Sequence, residues 1–182
     1  LRSVVEVHVV SVNNECKELL LILGREEKEN IPIRTVNFHG DAAQEFAYST
    51  AEESGASCHY ASVGRYLYEP NSSLMKAGCY RLPAQRFGLN KLHPNTHLYT
   101  SDTLVSDFPG RIFQVERVCG FSKKELKMLD CKKANLAVRN FPERVDALQK
   151  RLKIGDGGST YLFAATLNDE SKVLVVCTKA HL

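Results

Sequence analysis

No apolar run in this sequence approaches the roughly 18 residues needed to span a bilayer. The longest, LLLIL at 19–23, reads instead as a strand buried on both faces. The sequence has no CxxC pair and no Cys/His cluster at zinc spacing, which removes zinc ribbons and fingers. It carries no internal repeat and no low-complexity tract, so solenoids and disordered linkers are excluded as its main content. There is also no G-x-x-x-x-G-K-[ST] loop and no G-x-G-x-x-G turn, the common phosphate cradles. The chain opens at Leu1 without Met, which reads as a piece excised or processed from a longer protein.

What remains is an ordinary globular composition, with 43% hydrophobic and 25% charged residues over 182 positions, enough for one large domain or two small ones. The six cysteines (Cys16, Cys58, Cys79, Cys119, Cys131, Cys177) are scattered. Reduced, mostly buried thiols are therefore expected, in a metal-free cytoplasmic protein. The net charge of +3 hides an asymmetry: residues 1–110 carry 10 Lys/Arg against 13 Asp/Glu, and residues 111–182 carry 14 against 8. An acidic front joined to a basic back implies two units with different tasks.

The spacing predicts a hairpin, VVEVHVVSV (4–12) and KELLLILGR (17–25) around NNEC, then a strand at IRTVNFHG. Residues 41–62, rich in Ala, Ser, Gly and acids, read as a linker or irregular region. YLYEP is a short strand. NSSLMKAGCYRLPAQRFG is helical, capped by Asn71 or Ser72, kinked or split at Pro83 and closed by Gly88. HLYTSD and RIFQVERV are strands. Ser122 and Glu125 form a capping box before SKKELKML. ANLAVRNF is a strand, PERVDALQKRLKI a helix with Pro142 in its first turn, and STYLFAATL and KVLVVCTK a hairpin across NDES. The order β-α-β-α-β-β predicts an α+β unit, a mixed sheet with helices on one face.

KRLKIGDGGSTYLF (150–163) sets positive charge before glycines. A phosphate loop runs from strand into helix, so that the helix N-terminus meets the anion. GDGG runs from helix into strand, and its expected role is to end the helix, with Gly155 as the left-handed residue. Lys150, Arg151 and Lys153 suit the negative end of the helix dipole. They also belong to a wider surplus with Lys123, Lys124, Lys127, Lys132, Lys133, Arg139 and Arg144. That surplus reads either as a solvated face or as a surface for phosphates. Arg139 stands out because it interrupts an apolar strand.

Three other constellations read as structural. His93 and His97 have helical metal spacing, but Pro94 and Asn95 lie between them and make a turn. Cys16 with His8, and Cys58 beside His59, lack an oriented third partner for a thiol nucleophile. Tyr66, Tyr68, Tyr80, Tyr99 and Phe87 read as core, with base stacking the alternative.

VRNFP (138–142), the pattern across 150–167, YLYEPN (66–71) and LHPNTHLYTSD (92–102) together resemble a known family. These are bacterial class I S-adenosylmethionine-dependent methyltransferases with a C-terminal THUMP-like domain. YLYEPN and LHPNTHLYTSD are similar to that family's small ferredoxin-like segment. EVHVVSVNNECKELLLIL looks like the closing hairpin of its Rossmann-like catalytic core. The resemblance implies closing core strands at 1–40, a linker at 41–64, a ferredoxin-like segment at 65–112 and a THUMP-like domain at 113–182. The family's cofactor loop, a G-x-G or D-x-G-x-G after a strand, is not in this sequence, so no catalytic, cofactor-binding or metal residue is carried over.

The expected function is thus the substrate-recognition portion of a methyltransferase that uses S-adenosylmethionine elsewhere in the parent protein. Its partners would be structured RNA and the parent's own catalytic domain, with no membrane and no metal. Lys132, Lys133, Arg139, Arg144, Lys150, Arg151 and Lys153 are the candidate phosphate contacts. The alternatives are a structural or protein-docking module that binds no nucleic acid, and an enzyme acting through Cys or His.

Overall fold

A computed structural model describes residues 3–127, 129 and 131–181. Met128 of the expected helix and the Lys127 side chain lie outside the described residues. The chain divides into two compact units, one of Leu1–Cys58, Pro70–Gly88 and Asp107–Arg111, the other of His59–Glu69, Leu89–Ser106 and Ile112–Leu182.

The first unit is a four-stranded sheet in the order β2-β1-β3-β4. Its strands are β1 (Val4–Val12), β2 (Glu15–Leu23), β3 (Pro32–His39) and β4 (Ala42–Ser49). Asn13 and Asn14 take φ of 50° and 62°, the left-handed pair that a two-residue hairpin turn needs. β1 runs parallel to β3 and antiparallel to β2.

Three short helices, α1 (Thr50–Gly55), α2 (Ser72–Ala77) and α3 (Leu82–Phe87), follow. Leu74, Cys79 and Leu82 pack with Ile33, Phe46 and Tyr48 of the sheet. Each fully buried Leu contributes about 1.5–3 kcal/mol.

Residues 42–55 are therefore not irregular, whereas 56–65 form no helix or strand. Ser49 and Glu52 form a capping box that starts α1, and β4 alternates with Phe46 and Tyr48 turned inward. Small and acidic residues hid a strand whose outer face is solvated. The split between α2 and α3 falls at Gly78, in the left-handed region, while Pro83 sits harmlessly in the first turn of α3. The open N-terminus of α3 is satisfied from a distance: the Glu53 carboxylate accepts the backbone N–H groups of Tyr80, Arg81 and Leu82, each at 2.9 Å.

β2 corrects a second expectation. Leu19, Leu20, Leu21, Ile22 and Leu23 are 62, 45, 42, 43 and 63% exposed rather than buried on both faces. β2 is the edge of its sheet, so nothing in this unit lies beyond it.

The second unit is a seven-stranded sheet in the order β6-β7-β5-β8-β11-β10-β9. Its strands are β5 (Tyr66–Pro70), β6 (Asn90–His93), β7 (Thr96–Ser101), β8 (Gly110–Cys119), β9 (Asn135–Arg139), β10 (Tyr161–Thr166) and β11 (Lys172–Lys179). Helices α4 (Lys123–Lys127) and α5 (Val145–Leu152) join the last strands, and β9 and β10 are parallel across α5. β6 had read only as part of a turn, because Pro94 and Asn95 obscure its four residues.

Leu126, Leu148 and Leu152 of the helices cover Leu136, Leu162, Ala164 and Leu174 on one face. The other face curls on itself, so that Leu67, Leu92 and Leu98 pack with Phe113, Phe163 and Val175 in one core. The curl brings β7 beside β9, five places away in the sheet order. Tyr68 and Tyr99 are fully buried, which settles them as core. The architecture is mixed α+β with small helices and mostly strands.

Candidate nucleic-acid interface

The seven candidate cations, all in the second unit, fall into two groups. α5 ends where Lys153, at φ 57°, takes the left-handed position, and the Lys153 and Ile154 N–H groups close back on Lys150 and Gln149. Gly155 was expected there. Instead its N–H donates to the Lys132 carbonyl at 2.8 Å, and its carbonyl accepts from the Ala134 N–H at 2.9 Å. GDGG therefore forms no phosphate cradle; it ties the 132–133 segment to the end of α5.

That tie gathers Lys132, Lys133, Lys150, Arg151 and Lys153 at one pole. All five are exposed, and Lys132, Lys133, Lys150 and Lys153 make no ion pair among the described residues. Arg151 pairs with Glu143 and lies 5.4 Å over the Phe121 ring. Four unneutralised ammonium groups on adjoining turns repel one another, and an anion relieves that repulsion.

Arg139 and Arg144 sit at the other end of α5, about 12 Å away by helix rise. Arg144 is the exposed N-cap of α5. The Arg139 guanidinium donates to the Glu69 carboxylate and, at 2.8 Å, to its neighbour's carbonyl on Val138. Glu69 is 3% exposed. Arg139 is thus a clasp across the curled sheet, joining β9 to β5.

His93 makes a second clasp. Its Nδ1 accepts from the Asn95 N–H at 2.9 Å and the Asn140 amide at 3.1 Å, so its proton is on Nε2, 3.0 Å from the Glu170 carboxylate. The Thr96 hydroxyl donates to the Thr166 carbonyl at 2.7 Å, also from β7 to the far side. Burial pushes the His97 imidazole down to about 4, with the Lys91 and Arg139 cations adding to it.

Cys16 and His8 are not paired. Cys16 lies opposite Ser11 while His8, opposite Leu20, hydrogen-bonds Glu6. No group of three or more His, Cys, Asp or Glu that could hold a metal ion occurs among the described residues. Glu69, Asn140 and Glu170 were missed as partners. The signal available for Glu69 was a carboxylate inside an apolar strand, matching the cation inside another.

Residues 66–109 match a ferredoxin-like domain family and residues 110–179 a THUMP-like one. A crystal structure from Porphyromonas gingivalis W83, described as a "putative methyltransferase", aligns over 100% of this chain and 47% of its own, with 40% identity and a TM-score of 0.93. Residues 66–179 are a ferredoxin-like domain followed by a THUMP-like domain, in a chain related to methyltransferases. Proteins from two Mycobacterium tuberculosis strains, CDC 1551 / Oshkosh and ATCC 25618 / H37Rv, carry the name "uncharacterized S-adenosylmethionine-dependent methyltransferase". Each is 29% identical over 101 residues, 53% of this chain. The chain spans 28% of their length. The ferredoxin-like and THUMP-like stretches share one sheet and one core, and the clasps of Arg139 and His93 cross between them.

Among the described residues no glycine-rich loop leads from a strand into a helix, the arrangement that would hold S-adenosylmethionine. The residues present do not fit that cofactor, and none is assigned to it. Among the described residues no helix is long and apolar enough to cross a membrane.

Proposed function

We propose that this chain is the RNA-recognition portion of an S-adenosylmethionine-dependent methyltransferase, with the THUMP-like domain holding the RNA backbone. The observation that carries this reading is the pole of unpaired lysines, Lys132, Lys133, Lys150 and Lys153, gathered from two segments by the Gly155 contacts. Such cations position phosphates without reading sequence. Arg151 contributes more weakly because Glu143 shares its charge, and Arg139 not at all. Arg144 touches RNA only if the strand runs the length of α5.

The cofactor and the chemistry belong to the part of the relatives that this chain does not span. β1 and β2 would close the catalytic sheet there. A strand of five apolar residues, solvated on both faces, is what an interior strand looks like when its neighbours are absent. Six scattered cysteines with no disulfide framework fit a reducing compartment, the cytoplasm.

A second reading keeps that docking role and drops RNA, leaving a structural module whose lysines are solvated. Fluorescence anisotropy with a folded RNA, a random single strand and duplex DNA, at low and moderate salt, separates the two. Salt-sensitive binding that prefers folded RNA and falls with Lys150→Glu and Lys153→Glu is expected. No binding at low salt leaves only the docking module.

A further inference from the structure

At the carboxyl ends of the parallel strands β9 and β10 lies an open hollow lined by Val138, Asn140, Phe141, Pro142, Thr166 and Glu170, with Lys172 at its rim. Ligands of α/β units settle at such strand ends. Three features distinguish this hollow from an ordinary surface dip.

Two of its lining residues are held in the left-handed region, Asn140 at φ 50° and Glu170 at φ 64°. Non-glycine residues persist there only where the surroundings enforce it. The β10–β11 turn holds Glu170, whose N–H donates to the Leu167 carbonyl at 2.9 Å, and His93 ties the two side chains together, since one ring nitrogen accepts the Asn140 amide and the other donates to the Glu170 carboxylate. With its N–H groups turned to His93, Asn140 is left with its carbonyl oxygen as acceptor. Glu170 retains all of Oε2, 3.9 Å from the Lys172 ammonium, and the second lone pair of Oε1.

Val138, Phe141 and Pro142 give the hollow an apolar side, and the ring of Phe141 is fixed. The Phe141 ring packs at 4.9 Å on Phe121, which holds its plane. A flat apolar wall beside a carboxylate and an ammonium matches one kind of ligand edge well. Guanine presents an N1–H and an N2–H to a carboxylate, next to an O6 that accepts from a cation. Uracil presents carbonyl oxygens at both flanks of its single N–H and would face the carboxylate with like polarity.

We propose that this hollow receives an unpaired guanine base, with Glu170 taking N1–H and N2–H, Lys172 donating to O6, and Phe141 and Pro142 against the ring. The inference rests on the RNA reading above and gives it a base-reading site. α5 spans about 12 Å between the lysine pole and the hollow, so one single strand can occupy both.

The test has two arms on the 182-residue chain. In the first, GMP and UMP are titrated and the amide resonances of residues 138–141 and 166–172 are followed by NMR. GMP is expected to shift them at concentrations at least about tenfold below UMP. Glu170→Gln should abolish that preference, and Phe141→Leu, which keeps the core filled, should weaken GMP alone. Equal or absent shifts for the two nucleotides overturn the proposal.

In the second arm, a hairpin RNA with an unpaired overhang is compared with its guanosine-to-uridine version by anisotropy. A loss of about tenfold that disappears in Glu170→Gln supports the hollow. If RNA binds with steep salt dependence yet neither change matters, the hollow is refuted and the lysine reading stands. If GMP shifts the hollow but no RNA binds, the RNA reading fails and the hollow stands.

Discussion

The guanidinium of Arg139, on the last residue of β9, is clasped to the buried carboxylate of Glu69 on β5, across the gap where the curled sheet fails to close. A cation that looked available for phosphate is committed to the fold. Removing it takes one charged partner from a buried carboxylate.

Arg139→Ala should therefore lower stability, read as a fall in the urea midpoint with little change in slope. The double variant Glu69→Gln with Arg139→Met should recover much of that loss. RNA affinity of folded Arg139→Ala should match that of the parent. A selective loss of binding without loss of stability would return Arg139 to the interface.

Lys153 separates charge from backbone. It occupies a left-handed position that glycine takes without penalty, so Lys153→Gly should raise stability by about 1 kcal/mol. The same change should reduce RNA affinity and lower the salt slope by about 0.7 for a single-stranded contact. Thermal melts and a salt titration on one sample check both signs.

The His97 imidazole titrates near 4 when folded because burial disfavours its charged form, against an ordinary value of 6.5. Between those values the unfolded chain binds the extra proton, so stability is lost as pH falls from 6.5 toward 4. His97→Gln should flatten that window in urea titrations. Glu52, held below its usual range by the Ser49 N–H and hydroxyl and then Arg86, acts lower, its stabilisation disappearing as pH falls through its folded value. Glu125, held down by the Ser122 hydroxyl and the Gly120 N–H, does the same. A loss of stability confined to the carboxylate range would overturn the assignment to His97.

Leu20 and Ile22 are exposed on an edge strand, so Leu20→Lys with Ile22→Lys should change the stability of this chain by no more than about 0.5 kcal/mol. Self-association of the chain, followed by sedimentation, should fall at the same time. In a longer protein that supplies a catalytic sheet, the same pair should be severely destabilising.

Much of this was legible from local pattern. The hairpin turn at Asn13 and Asn14, the Ser122–Glu125 capping box, the strand–helix–strand order of the THUMP-like domain and the cap at Asn71 are set by neighbours a few residues apart. The misreadings share a cause. LLLIL is an interior-strand sequence in every local respect, and only the sheet order puts it on an edge. Residues 42–49 looked irregular because one of their faces is solvated. Gly155 looked like the helix stop because glycine favours the left-handed region, yet Lys153 takes it and Gly155 serves the bridge to Lys133.

By itself the sequence determined most of the secondary elements, the basic surplus and the family resemblance, because short-range geometry, counted charge and quoted motifs need no knowledge of what touches what. Only the tertiary structure decided which cations are available. Lys132 and Lys133 join Lys150 and Lys153 through backbone contacts between distant segments, while Arg139 meets Glu69, 70 residues away in the chain, and is neutralised there. A side chain's charge is written in its residue type. Whether that charge faces a ligand or a buried partner depends on the folded path that brings the partner to it.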